Sequence, residues 1–141
     1  MEDPQGQLES DRLQMARQWL QANQPDRALD TVNRALNEAL ETTDPAQQGR
    51  AWFEVGWVHA WTGQFDEAEH AFRQAVVALP GGDDESSMAP MRMRFLRDHG
   101  LLIAQMGRLE EARAIFGRAQ IAARYVSGTW HTTSRSPRLT E

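Results

Sequence analysis

The chain has 141 residues, a net charge of −5 at neutral pH and no cysteine, a length that supports one domain with a real core. The acidic balance argues against nucleic acid as the main partner, and the lack of cysteine excludes disulfides, thiolate catalysis and cysteine-based zinc sites. No apolar run approaches the ~20 residues of a membrane span, and the polar N-terminus is not a signal peptide, so the sequence predicts a cytoplasmic protein without a membrane partner.

The N-terminal part of the chain predicts a pair of helices. An apolar stripe between Pro4 and Ala22 indicates the first helix, and residues 23–26 interrupt it. Pro25 suits the start of a second helix, because the first turn needs no amide donor at that position. Apolar residues then recur at helical spacing as far as Leu40. We therefore expect two helices joined by a short turn.

The central stretch predicts a second pair with the same layout. Asp44 is expected to cap a helix that Pro45 opens. This helix is broken at residues 62–63, before a partner helix over residues 66–79. A small residue such as Gly56 lets two antiparallel helices approach closely, while large residues fill the space beside it.

A polar segment over residues 80–87 precedes a third predicted pair, over about residues 89–106 and 109–126. The composition then changes, because residues 127–141 are rich in Ser, Thr, Arg and Pro. This composition predicts a mostly disordered tail. The alternative is that Trp130 anchors the tail over the open end of the third pair.

The three pairs are copies of one another. A shift of 40 residues aligns small and apolar positions of the first and second pairs, such as Val32 with Phe72. A shift of 44 places residues 62–75 on residues 106–119, TGQFDEAEHAFRQA against MGRLEEARAIFGRA. Each pair is therefore one unit of an internal repeat.

The central unit resembles a tetratricopeptide repeat (TPR). Its Trp, Gly, Ala, Phe and Pro residues follow the order of that repeat's signature, with Val55 for the usual Leu and His59 for the usual Tyr. Trp52 is expected to hold the unit together. The resemblance implies an all-α fold: three helix-turn-helix units, six helices, in a short right-handed superhelical array. The TPR domain would span residues 1–126, with repeats at about residues 9–42, 49–82 and 93–126.

No catalytic or metal-binding pattern stands out. The four histidines, at positions 59, 70, 99 and 131, form no pair at metal-ligand spacing with a carboxylate on one face. His59 and His99 fall on repeat positions where a core or half-buried role is expected. The glycines at 81–82 are followed by acids, which would repel phosphate, and there is no nucleophile elbow. The sequence predicts a protein that is not an enzyme and needs no cofactor or metal.

In TPR proteins the first helix of each repeat lines a concave groove, and here the matching stripe is rich in aromatic residues and arginine. Trp and Arg most often carry binding energy at interfaces, and Arg also pairs with carboxylates and stacks on rings. The predicted partner-binding groove consists of Leu13, Arg17, Arg50, Phe53, Trp57, Trp61, Arg94, Arg97, Leu101 and Gln105. The alternative is that neighbouring first helices bury this stripe as core between repeats.

One known type of groove ligand does not match. TPRs that clamp the C-terminal carboxylates of chaperones use Lys and Asn at groove positions. This chain has Leu13, Arg17, Glu54, Arg94 and Asp98 there. Because only Arg94 keeps the expected charge, the pattern argues against that ligand.

The sequence leaves three interpretations of function open. The first is an adaptor or chaperone-like module whose protein or peptide partner carries apolar or aromatic anchors and nearby acids; bacterial secretion chaperones built from three TPRs are of this general kind. The second is a self-associating module, a homodimer through the groove or the open repeat ends. The third is a fragment of a larger TPR regulator.

Overall fold

The computed structural model describes residues 11–84 and 87–126. This part of the chain is all-α, with six helices and no strand. The predicted fold class is thereby confirmed, and the tail prediction for residues 127–141 lies outside the described residues. None of the described helices is long and apolar enough to cross a membrane. The helices are α1 (Asp11–Gln21), α2 (Pro25–Leu40), α3 (Pro45–Trp61), α4 (Phe65–Ala78), α5 (Ala89–Gln105) and α6 (Leu109–Ala123).

The chain divides into two compact units, where the sequence predicts one domain. The first unit is Met1–Ala78 and contains α1 to α4, and the second is Leu79–Glu141 and contains α5 and α6. The polar segment after α4 falls at this division. Within the first unit, α3 packs against α2 as well as against α4.

The helix starts follow from local chemistry. Pro occupies the first turn of α2, α3 and α5, where its missing amide hydrogen costs no hydrogen bond. Asp44 caps α3 as predicted: its Oδ1 accepts from the backbone N–H groups of Ala46 and Gln47, at 3.1 and 3.4 Å. This cap satisfies donors that the first turn leaves without an intrahelical partner.

The turn inside each helix pair has one repeated geometry. Asn23, Gly63 and Gly107 occupy matching positions and all have positive φ, at 60°, 82° and 83°. The N–H of the next residue donates to the carbonyl five residues back, for example Gln64 to His59 at 2.9 Å. This is the Schellman closure, in which a left-handed residue ends the helix. The three helix pairs therefore share the backbone conformation of their turns as well as their sequence pattern.

Two glycines set the distance between paired helices. A Cβ on Gly56 would lie 2.6 Å from Cδ1 of Phe72, and a Cβ on Gly100 would lie 2.7 Å from Cε1 of Phe116. The first pair has Ala16 and Val32 at these positions, both 0% exposed. A slightly larger residue on one helix is thus matched by a smaller one on its partner, as close packing requires.

Two charged side chains are buried for structural reasons. Glu54 on α3 is 1% exposed, and its Oε1 accepts from Nε of Arg12 on α1 at 2.9 Å. In the second unit Arg92 is also 1% exposed, and its guanidinium donates to the backbone carbonyls of Ser87 and Pro80. Each charge is paired or hydrogen-bonded, as burial demands. Arg92 thereby holds the segment that leads into α5.

Candidate functional site

Three of the predicted groove residues come together on the first compact unit. The Cζ of Arg17 on α1 lies 5.4 Å from the ring centroid of Trp57. The rings of Trp57 and Trp61 follow one another along α3, with centroids 5.1 Å apart and planes at 44°. Residues four apart on a helix share a face. We call this group the Arg17–Trp57–Trp61 stack.

The stack becomes more accessible along its length. Arg17 and Trp57 are half-buried, and Trp57 packs on the buried core of the first unit. Trp61, in the last turn of α3, leaves 51% of its surface exposed. The stack thus exposes the ring of Trp61, which is supported by the ring of Trp57 and then by the guanidinium of Arg17. Such a surface can bind apolar or aromatic groups, and its cation can pair with a carboxylate.

Other predicted groove residues of the first unit have different environments. Arg50 is half-buried on the stripe of Trp57, two turns before it. Leu13 and Phe53 are only 1% and 3% exposed, and the Phe53 ring lies 5.5 Å from that of Phe72. Both apolar side chains are therefore interior packing residues. The accessible surface is narrower than the predicted groove.

The remaining predicted residues lie on α5, in the second unit. Nε of Arg94 and Nε of Arg97 lie 3.8 and 3.7 Å from carboxylate oxygens of Asp98. Burial raises the pKa of Asp98 above its usual value, and the two guanidinium groups partly offset that effect. Leu101 is 52% exposed, and Gln105 is also exposed. The arginines here are thus engaged with a carboxylate of their own helix.

A second concave feature lies on the first unit, and the sequence did not predict it. It is a cavity of about 380 Å³ between α2, α3 and α4, which we call the α2–α4 pocket. The rings of Trp52 and His70 meet there edge to face, with centroids 5.7 Å apart. The lining residues are Asn33, Leu36, Trp52, Val55, His59, Asp66, Glu67, His70 and Ala71.

The pocket and the stack lie on different sides of α3. Successive helical residues are rotated by about 100°, so Trp52 and His59 fall on a stripe roughly opposite to Trp57 and Trp61. Trp52 packs against the core of the unit while it lines the pocket. A sequence signal that could have indicated it is the combination of Trp52 on α3 with His70 and the acids at the start of α4, which only the packing of the two helices brings together.

The histidines and carboxylates of the described residues do not form a cluster of metal ligands. No group of three or more His, Asp or Glu side chains in residues 11–84 and 87–126 is arranged to hold a metal ion. His99 is a buried residue of α5, 6% exposed, and His59 is half-buried on α3.

Comparison with known protein families gives a match for one segment of the chain. Residues 49–81 match the family model of the tetratricopeptide repeat. This segment holds most of α3 and all of α4, together with the turn between them. The helix pairs before and after it are consistent with further repeats of that kind. No curated protein and no solved structure gives a significant match to the chain.

Proposed function

Because residues 49–81 form a tetratricopeptide repeat, a unit that generally binds proteins or peptides, we propose that this chain is a non-catalytic protein-interaction module. Its binding site is the Arg17–Trp57–Trp61 stack. The role is that of an adaptor or chaperone-like protein that recognises a segment of a partner polypeptide.

The exposure of Trp61 is the observation that carries this proposal. A large aromatic side chain left 51% exposed still has much apolar area that it can bury against a partner. Its contact with Trp57, and the contact of Trp57 with Arg17, hold the rings in place before a partner arrives. A preorganised surface loses less entropy on binding.

The stack also defines the chemistry of the partner. An apolar or aromatic side chain would pack on the exposed ring of Trp61. An acidic residue nearby would be attracted by the positive charge of the Arg17 guanidinium, which lies beside the Trp57 ring. The partner is therefore a segment with an apolar or aromatic anchor and an acid close to it.

The proposal is tested by comparing Trp61→Ala with a matched control. Val77→Ala removes apolar surface from a position that is 73% exposed, at the end of the other helix of the same repeat. Captures from lysate with the wild type, Trp61→Ala and Val77→Ala are quantified by mass spectrometry, and circular dichroism verifies the helical content of each.

We expect partners that Val77→Ala retains and Trp61→Ala loses. Identical capture by the two variants would show that the stack is not the binding site.

Self-association is a second candidate, and the same exposed stack favours it. Burial of an exposed apolar patch is energetically favourable. A twofold dimer would bury it by packing two copies of Trp61 against each other. Sedimentation equilibrium separates the two functions. A dimer that Trp61→Ala dissociates supports self-association, whereas a strict monomer at several hundred micromolar excludes it.

A further inference from the structure

The α2–α4 pocket has an apolar floor and an acidic rim. Leu36, Val55 and Ala71 are buried at its base, and Trp52 is half-buried beside them. Asp66 and Glu67, in the first turn of α4, line the cavity and are exposed. Within the described residues, no ion pair joins either carboxylate to a cation. The pocket therefore combines apolar surface with two carboxylates, beside the imidazole rings of His59 and His70.

Polar side chains in and beside the pocket add hydrogen-bonding groups to the two carboxylates. The side-chain amide oxygen of Gln64 lies 2.7 Å from Nδ1 of His59, within hydrogen-bond distance. Asn33 adds an amide carbonyl to the lining. A ligand that supplies several N–H donors and a positive charge complements these groups.

The first helix pair has a cavity at the corresponding place, and it contains its own cation. This cavity, of about 400 Å³, is lined by Trp19, Asp26, Arg27, Asp30 and Thr31. A shift of 40 residues places these positions on residues 59, 66, 67, 70 and 71, all of which line the α2–α4 pocket.

In the first pair, Cζ of Arg27 lies 4.9 Å from the ring centroid of Trp19, a distance typical of a cation–π contact. Glu67 stands at the position of Arg27 in the second pair. The second pocket thus has a carboxylate where the first has a guanidinium. It also has His59 and His70 where the first has Trp19 and Asp30, and its own aromatic ring comes from Trp52.

From this difference we propose that the α2–α4 pocket binds an arginine side chain of a partner polypeptide. The aliphatic stem lies along Leu36, Val55 and Trp52, as long cationic side chains do on apolar surfaces. The guanidinium reaches the rim and donates to the carboxylates of Asp66 and Glu67. This site is separate from the Arg17–Trp57–Trp61 stack, so a partner could contact both faces of α3.

The test uses an N-acetylated, C-amidated pentapeptide, Ala-Ala-Arg-Ala-Ala, titrated into the ¹⁵N-labelled full chain. The comparison peptide carries citrulline, which has nearly the same shape as arginine but no charge. We expect the arginine peptide to shift the amide signals of Asp66 and Glu67 and the indole signal of Trp52. We expect the citrulline peptide to bind at least about fivefold more weakly.

Protein variants test the two carboxylates. The double substitution Asp66→Asn and Glu67→Gln should raise the Kd of the arginine peptide about tenfold. Glu110→Gln is the matched control, because Glu110 is an exposed acid in the first turn of α6, at the position that corresponds to Asp66. That control should bind like the wild type. Circular dichroism shows that each variant keeps its helices.

Several results would overturn this assignment. Equal affinity for the arginine and citrulline peptides would mean that charge is not recognised. Signal changes at Trp57 and Trp61 instead of Trp52 would place the peptide on the stack. Ethylguanidinium binding as tightly as the peptide would assign the pocket to small free cations, and unaltered binding by the double variant would remove the role of the acids.

Discussion

Single residues decide how closely the paired helices pack. Gly56 and Gly100 each lie against a phenylalanine ring of the partner helix, closer than any side chain would permit. The same position in the first pair holds Ala16, opposite the smaller Val32. The sequence pattern predicts this close approach, because small and large residues alternate at helical spacing.

We predict that Gly56→Ala destabilises the protein. Alanine improves helix propensity by about 1 kcal/mol, but overpacking a filled core typically costs about 1–3 kcal/mol. The new Cβ would meet the Phe72 ring and also lie 3.2 Å from the carbonyl oxygen of Ala68. We expect a net loss of about 1 kcal/mol in the free energy of unfolding, measured in urea.

Gly117→Ala is the matched control, because a Cβ on Gly117 would meet nothing within 4 Å. It lies inside α6, so the substitution should stabilise the protein by up to about 1 kcal/mol. Equal gains from Gly56→Ala and Gly117→Ala would contradict the role given to the close contact.

We also predict that Asp98 makes stability depend on pH. Burial raises the pKa of this carboxyl in the folded chain, so between its unfolded and folded pKa values the folded state binds more protons than the unfolded state. Stability therefore falls as pH rises through that window. Asp98→Asn should flatten this slope in urea unfolding experiments above about pH 4. A slope that the substitution leaves unchanged would rule out Asp98 as its source.

At the scale of whole elements, the residues at the helix ends determine where each helix begins and stops. Proline and Asp44 start helices, and left-handed residues at matching positions end them. These signals are local, so the sequence alone predicts the helix pairs; residues 4–10 of the predicted first helix lie outside the described residues. The last helix is shorter than predicted, ending at Ala123 rather than near Val126, because final turns depend on weak local bonds.

Arg92 is the anchor of the segment that precedes α5, and its role was not predicted. We expect Arg92→Leu to destabilise the protein by about 2–4 kcal/mol, since it leaves the carbonyls of Ser87 and Pro80 without this donor. Arg113→Leu, at an exposed position on α6, should change stability by less than about 0.5 kcal/mol. Thermal unfolding measures both. A similar small effect from the two substitutions would show that the buried guanidinium does not hold this segment.

Sequence analysis is least able to predict which side chains are buried where one helix packs against another. Periodicity places Leu13 and Phe53 on the predicted groove stripe, but it does not reveal which neighbouring helix covers them, and both are buried. The sequence also does not predict that Glu54 and Arg92 are buried, because a charged residue is normally expected at the surface. The α2–α4 pocket depends on three helices at once, so no local pattern predicts it.

At the scale of the whole molecule, the chain consists of two compact units, and both candidate binding sites lie on the first. They use different sides of α3, the Trp61 side for an apolar or aromatic anchor and the Trp52 side for arginine. A partner segment with both features would explain why this central repeat carries three of the five tryptophans.

The most direct test of the central claim is the affinity of a captured partner for the wild type, Trp61→Ala and Val77→Ala, measured by calorimetry. If the stack is the binding site, Trp61→Ala raises the Kd at least about tenfold, as truncation of an interface tryptophan does, while Val77→Ala binds like the wild type. A folded Trp61→Ala variant with unchanged affinity would contradict the claim.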